Sequence, residues 1–515
     1  MSEPLKSIAQ YYHERTKYDP DTLASKGQQL DWSQQPEPFK EYKIGTVFDL
    51  KPYLKEISDS PIPTANTDPW QRLSSLLLHT YGLTAKLATT SGFHYLRSSP
   101  SAGGLYPAEV YLVSRGTPEL PPGLYNYQAL NHSLVQFWDS QIWPELKQAC
   151  FWHPSLENTK LAMVITAVFY RSAWRYQDRA YRRIFLDTGH LLGNLELAGA
   201  LNSYRPHMIG GFADEILNDL LYLDSETEAA IAVLALADLL EIDQNLPEFR
   251  TALPSATQTD YPEIPDGELL HYLHRASQIK SDTSGSQGWK KLATQEEEEE
   301  PRDKYNFPFC TKVSAVTPSI DWGKDLKGLN TAILRRRSTR RYSGGNLNLE
   351  ELLALLDFTY QHQHYSYQGL DAAPDFFDLS LIESFIAVSG VNGLEEGCYY
   401  YAPKAQELRQ IRFKNFRREL HYLCLGQDLG RDAAALLFHT ADLNKAIAKY
   451  GDRAYRYLHS DAGHLGQRLN LAATHLRLGA SGIGGFFDNL VNEVLGIPTD
   501  EAVIYITTLG RLRGS

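Results

Sequence analysis

Residues 176–190, YQDRAYRRIFLDTGH, return 274 positions later as residues 450–464, YGDRAYRYLHSDAGH. The same offset lays GLYNY (123–127) on GCYYY (397–401) and IGGFADEILNDLL, from Ile209, on IGGFFDNLVNEVL, from Ile483. With one residue dropped, EAAIAVLALAD (228–238) meets EAVIYITTLGR (501–511). Solenoid repeats run to roughly 20–50 residues. A period this much longer is that of a duplicated domain, so whatever fold one half adopts the other must adopt as well.

Each half follows one grammar. A Leu-rich helix ending at Tyr81 or Tyr360 precedes a β-branched and aromatic run, EVYLV or SFIAV, then a Gly/Pro turn and the GLYNY or GCYYY strand. A long helix begins near DRAYR; in it Leu191, Leu195 and Ala198, like Leu465, Leu469 and Ala472, recur at i, i+4, i+7. It is expected to end at a Gly-Gly turn, after which an apolar run closes the half as a buried strand. This order predicts an α+β fold with halves at 1–251 and 306–515. Between them, residues 252–305 contain SDTSGSQGW and five consecutive glutamates, Glu296 to Glu300. Like charges that bury nothing predict a solvated linker, with an acidic partner-binding tail as the alternative.

With 43% hydrophobic residues in 515, the chain can bury substantial cores, and its formal charge of -12 argues against a broad grip on nucleic acid or anionic lipid. The four cysteines stand far apart without zinc spacing, and no stretch reaches the roughly 18 apolar residues of a membrane span. These features predict a soluble, cytoplasmic protein with free thiols and no metal site. His362 and His364 lack carboxylate or cysteine partners at ligand spacing.

The copies disagree in four places. The second half opens with RRRSTRR, crowding Arg336, Arg337, Ser338, Arg340 and Arg341 together, where the first half has nothing comparable. Such a cluster is either a solvated helix end or a phosphate site, because guanidinium forks and a hydroxyl suit a phosphate. Its last strand ends in LGRLR, so Arg511 and Arg513 stand opposite Asp238 and Leu240. The first half carries RSSPSAGG, in which Ser99, Pro100, Ser101, Ala102, Gly103 and Gly104 form either a plain connection or a loop small enough for close backbone approach to a ligand; Phe376 and Phe377 replace it in the second. Finally, Lys449-Tyr450 faces Arg175-Tyr176. A lysine beside a tyrosine is either an ordinary surface pair or a device that makes the phenol a base. The glycine pairs Gly210-Gly211 and Gly484-Gly485 occur in both halves, as helix caps or as backbone donors to a flat ring. GASGIGGF is not read as a dinucleotide fingerprint, since that must follow a strand.

Taken together, these motifs resemble the FMN-dependent nitroreductase fold, specifically its SagB-type azoline dehydrogenase branch. The resemblance covers roughly residues 5–250 and 325–515. RRSTRRY (336–342) is similar to the family's RRSxRxF/Y, SPSAGGLYP (99–107) to its SPS loop, and the GxYxY, YxxRxYRxxxxDxGH and IGGF motifs appear in both halves. It implies two tandem domains, each a mostly antiparallel sheet flanked by helices, packed as an intramolecular pseudo-dimer that is monomeric in solution. Family sites lie at the dimer interface. The resemblance therefore implies one composite FMN site in which Arg336, Arg337, Ser338, Arg340, Ile483, Gly484, Gly485, Arg511 and Arg513 of the second half meet residues 99–104 of the first; the other site would be degenerate. It casts Lys449 and Tyr450 as the base near the flavin, with Arg175 and Tyr176 as the rival pair. The implied substrate is a small molecule or modified peptide bearing an azoline. The alternatives are an NAD(P)H-dependent nitro or quinone reductase and a flavin-free scaffold.

Overall fold

The computed structural model describes residues 6–23, 30–54, 62–89, 92–241, 250–281 and 303–513. Each half builds a seven-stranded sheet. In the first the order is Thr46–Asp49, Ser133–Trp138, Gly123–Gln128, Ala108–Ser114, Leu161–Val168, Glu228–Asp238, Tyr204–Ile209. The second repeats it as Lys312–Ser314, Glu407–Arg412, Gly397–Ala402, Glu383–Val388, Ala435–Asp442, Glu501–Gly510, Gly479–Ile483. All pairings in both are antiparallel. The central strands are buried almost throughout, which accounts for their near-continuous apolar runs. This is an α+β architecture in two tandem halves of the same topology.

The repeated stretch builds the junction between them. Helices Ala180–Leu201 and Ala454–His475 pack along one another. Where they cross, a Cβ on Gly189 would stand 2.0 Å from the Ser460 carbonyl oxygen, and one on Gly463 2.2 Å from that of Leu186. The glycine of each DxGH is thus what lets the two backbones touch. The DRAYR arginines reach across: Arg179 and Arg182 to Asp488 at 3.0 and 2.7 Å, Arg453 and Arg456 to Asp214 at 2.6 and 2.8 Å. All six side chains are buried, and each aspartate follows the Gly-Gly turn of the opposite half.

Two expectations need correction. The long helices do not run directly into the Gly-Gly turns, because the edge strands Tyr204–Ile209 and Gly479–Ile483 intervene. Pro206 and the glycines of GASGI disfavour strand locally, so only pairing with the neighbouring strand reveals them. Gly479–Ile483 pairs antiparallel at a sheet edge with no parallel βαβ unit, so the dinucleotide reading remains excluded.

Nor is the segment from 252 to 281 a loose tether. Asp452 accepts hydrogen bonds from the Ala9 and Gln258 N–H groups, and Asp178 accepts them from Gly267 and Leu270. Helix Leu269–Ala276 stands to the second half as Ile8–Arg15 stands to the first. Thr16 Oγ1 accepts from Arg182 and Ser277 Oγ from Arg456, each at 2.8 Å; Tyr18 bridges to Phe487, and Ile279 to Ala213. The duplication therefore extends into the expected linker, hidden because YYHERT and HYLHRAS share amphipathic spacing but few residues. The glutamate run lies outside the described residues. Among the described residues no helix is long and apolar enough to cross a membrane, and all four cysteines are free thiols.

Candidate active site between the two halves

A cavity of about 400 Å³ opens where the halves meet. From the first half Pro100, Ser101, Ala102 and Gly103 line it, with Arg175 and Tyr176; from the second come Ser338, Arg340, Ile483, Gly484 and Gly485. The loop is held by the helix behind it. Asp187, the aspartate of DTGH, accepts from Ser101 Oγ at 2.6 Å and from the Ala102 N–H at 3.1 Å. Burial pushes its carboxyl up to about 7. Gly103 has φ +67°, and a Cβ there would lie 2.8 Å from the Tyr176 hydroxyl, so glycine is required on both counts.

Arg336 does not line the cavity but stands behind it. It is buried, donates through Nε to the Ser98 carbonyl at 2.8 Å, and has Nη1 3.5 Å from Ser338 Oγ. Burial lowers its guanidinium to about 10, still cationic at neutral pH. It thereby fastens the first-half loop to the second-half arginine cluster. Arg337 turns away to the Thr84 carbonyl. Ser99 is buried with its hydroxyl unpartnered among the described residues, and Gly104 abuts His94. At the C-terminus, Arg511 is committed to Glu351 at 2.6 Å and Arg513 is exposed. Neither reaches the cavity wall.

Arg175 and Tyr176, not Lys449 and Tyr450, face this cavity. Lys449 Nζ lies 2.9 Å from Asp378, to which Tyr450 also donates at 3.0 Å. Against the upward push of burial, hydrogen bonds from Lys449 and Ser380 hold Asp378 below the ordinary carboxylate value. This pair belongs to the corresponding region of the other half, which side chains fill. A Cβ on Gly210 would meet Phe377 at 2.4 Å, and one on Gly211 would meet Leu253 at 2.5 Å. Phe377 stacks on Tyr457 at 4.7 Å and Phe376 on His464 at 4.1 Å. Asp461 repeats the part of Asp187, accepting from the Phe377 and Asp378 N–H groups, but the loop it holds is bulky.

Sequence reasoning missed Arg183, His190 and Tyr505 in the cavity wall. His190 bonds Tyr505 OH through Nε2 and Gln467 through Nδ1, each at 2.8 Å, and burial lowers its imidazole to about 3, leaving it neutral. The missed signal was present: Arg183 stands opposite Tyr457 and Tyr505 opposite Ala232, disagreements inside segments whose overall match drew attention away from them. Among the described residues no group of three metal-ligating side chains stands together; His364 pairs with Asp357 alone.

The model of the nitroreductase family matches residues 71–237 and 333–511. The chain is 32% identical over 183 residues to "Putative nitroreductase MJ1384" of Methanocaldococcus jannaschii, covering 36% of this chain and 90% of that protein. It is 27% identical over 150 residues to the Microcin B17-processing protein McbC of Escherichia coli, covering 28% of this chain and 54% of that relative, about half its length. A crystal structure from Anabaena variabilis with the same nitroreductase designation is 65% identical. It covers 99% of this chain and 100% of its own, with a TM-score of 0.93.

Proposed function

The chain belongs to the nitroreductase family of oxidoreductases, and from that premise we propose that it uses FMN at one working site, the cavity between its halves. The observation that carries this reading is that Ser338 and Arg340 of one half and the Pro100–Gly103 loop of the other line the same cavity. Its volume falls within the roughly 300–1,000 Å³ of small-molecule sites. The donor set fits a flavin phosphate: Arg340 carries no ion pair among the described residues, Ser338 adds a hydroxyl, and Arg336 stands behind them. Gly484 and Gly485 would offer backbone N–H groups to the ring. Bound there, FMN supplies the two-electron redox chemistry.

The substrate end is Tyr176 and Arg175. A guanidinium cannot act as the base, so Tyr176, as its phenolate, is the group that would accept a proton from the substrate while the hydride passes to FMN. In the dehydrogenase reading that substrate is an azoline on a small molecule or modified peptide, which leaves as a thiazole or oxazole. Similarity to McbC supports this reading. An NAD(P)H-dependent nitro or quinone reductase is the second reading, favoured by the placement of Lys449 away from the cavity.

The test is the absorption spectrum of the purified chain with flavin quantified. About one flavin per chain is expected, two would refute a single working site, and none would favour the scaffold. Because Arg336 also fastens the loop, the informative variant is Ser338→Ala with Arg340→Ala, which should release flavin without unfolding. Retained flavin would refute the phosphate site.

A further inference from the structure

We propose that Arg183 anchors a carboxylate on the substrate of this site. The inference rests on the reading of the cavity as the flavin site and adds the chemical class of what binds beside the flavin.

Arg183 is 8% exposed, lines the cavity, and makes no ion pair or hydrogen bond among the described residues; its Nε is buried without a partner. The other buried arginines among the described residues all have partners: Arg97 and Arg336 donate to backbone carbonyls, and the rest meet carboxylates. Arg179 and Arg182 share Asp488, Arg453 and Arg456 share Asp214, Arg171 meets Glu109 at 2.6 Å, and Arg468 meets Glu196 at 2.7 Å. A buried, unpaired guanidinium costs stability. Its persistence at a cavity wall points to an anion that arrives from outside. Asp187, the one carboxylate among the described lining residues, is already engaged by Ser101 and Ala102.

The position of Arg183 separates it from the phosphate end. Its guanidinium lies 3.8 Å from the centre of the Tyr176 ring, and Nη1 stands 2.3 Å from where a Cβ on Gly484 would be. Ser338 belongs to the opposite end of strand Gly479–Ile483, where a Cβ on Gly479 would meet Thr339 Oγ1 at 2.7 Å. At about 3.3 Å per residue, some 16 Å of strand separates Gly479 from Gly484. A phosphate at Ser338 and Arg340 therefore leaves Arg183 unserved. One guanidinium against an aromatic ring suits the fork of a single carboxylate, whereas a phosphate dianion calls for the cluster found at the other end. Arg175, exposed at the cavity and also without an ion pair among the described residues, adds positive charge that would draw the anion inward.

The other copy supplies the contrast. Tyr457 occupies the place of Arg183, its hydroxyl 3.0 Å from the Gly210 carbonyl and 2.8 Å from that of Leu253, with Phe377 stacked on its ring. Where side chains fill the site, no arginine is kept.

The test titrates benzoate and its neutral isostere benzamide into the purified full chain by calorimetry at fixed ionic strength, with bound flavin read separately by absorbance. Wild type should bind benzoate at least about tenfold tighter than benzamide, which is about 1.4 kcal/mol. Arg183→Gln should abolish the preference while leaving flavin content and benzamide affinity unchanged. No preference in wild type, or a preference that survives in Arg183→Gln, overturns the proposal. Loss of flavin in Arg183→Gln would make it a cofactor contact and overturn it equally. A colourless wild type that still prefers benzoate through Arg183 would refute the flavin reading and leave the anion site standing.

Discussion

Asp214→Ala and Asp488→Ala should loosen the junction between the halves to a similar degree yet affect the cavity unequally. Asp214 is 1% exposed and pairs with Arg453 and Arg456; it also accepts from the Ile279 N–H at 2.8 Å. Asp488 is 3% exposed, pairs with Arg179 and Arg182, and accepts from the Tyr18 N–H at 3.0 Å. Truncating either leaves two buried guanidiniums without a counter-charge, a loss of about 3–5 kcal/mol. With a urea slope near 3 kcal/mol/M, a loss of about 4 kcal/mol lowers the midpoint by about 1.3 M, and by less if the slope is steeper. The asymmetry lies one contact further on. Arg179 also reaches the Gly484 carbonyl at 3.4 Å, so Asp488→Ala disturbs a turn in the cavity wall. Arg453 donates to the Gly210 carbonyl at 3.0 Å, a turn already covered by Phe377 and Leu253. Urea titration followed by circular dichroism, with flavin quantified per chain, reads both effects. Both variants should unfold earlier, but only Asp488→Ala should shed flavin at neutral pH. Unchanged midpoints would refute the energetic argument, and equal flavin loss would refute the asymmetry.

Asp187→Asn tests the loop anchor. Burial raises the Asp187 carboxyl from 3.8 to about 7, so in wild type its ionisation destabilises the folded state increasingly as pH climbs through that interval, then by a constant amount above it. The stability of Asp187→Asn relative to wild type should therefore rise between about pH 4 and pH 7 and level off; a difference independent of pH in urea titrations would count against the assignment. Arg511→Gln should cost less than about 1 kcal/mol and leave flavin bound, since its pair with Glu351 is partly exposed. Flavin release in that variant would return the C-terminal arginine to the cofactor site.

Much of the candidate site was legible because duplication supplies its own control. The RRSTR cluster and the SPSAGG loop stood out as segments whose residues the other copy does not share, and the cavity unites Ser338, Arg340 and residues 100–103. Arg511 was harder to place, since an arginine near the chain end can reach either a ligand or a nearby carboxylate, and Glu351 took it. Arg183 escaped notice for the opposite reason: it sits within a segment that matches its copy so well that one changed residue looked incidental.

Two copies of one α+β domain follow from the chain alone, because a period of 274 residues with shared strands and helices admits little else. The same comparison also marks which segments have diverged. Which of the divergent residues meet is set by the folded packing of the two halves. Tyr176 and Tyr450 occupy equivalent places in the repeat and each stands against the loop of its own half, one at Gly103 and the other at Asp378; what the packing of the halves adds is the meeting of Ser338 and Arg340 with residues 100–103. Pairing between copies depends on where two helices touch, and that contact is made by residues remote in the chain.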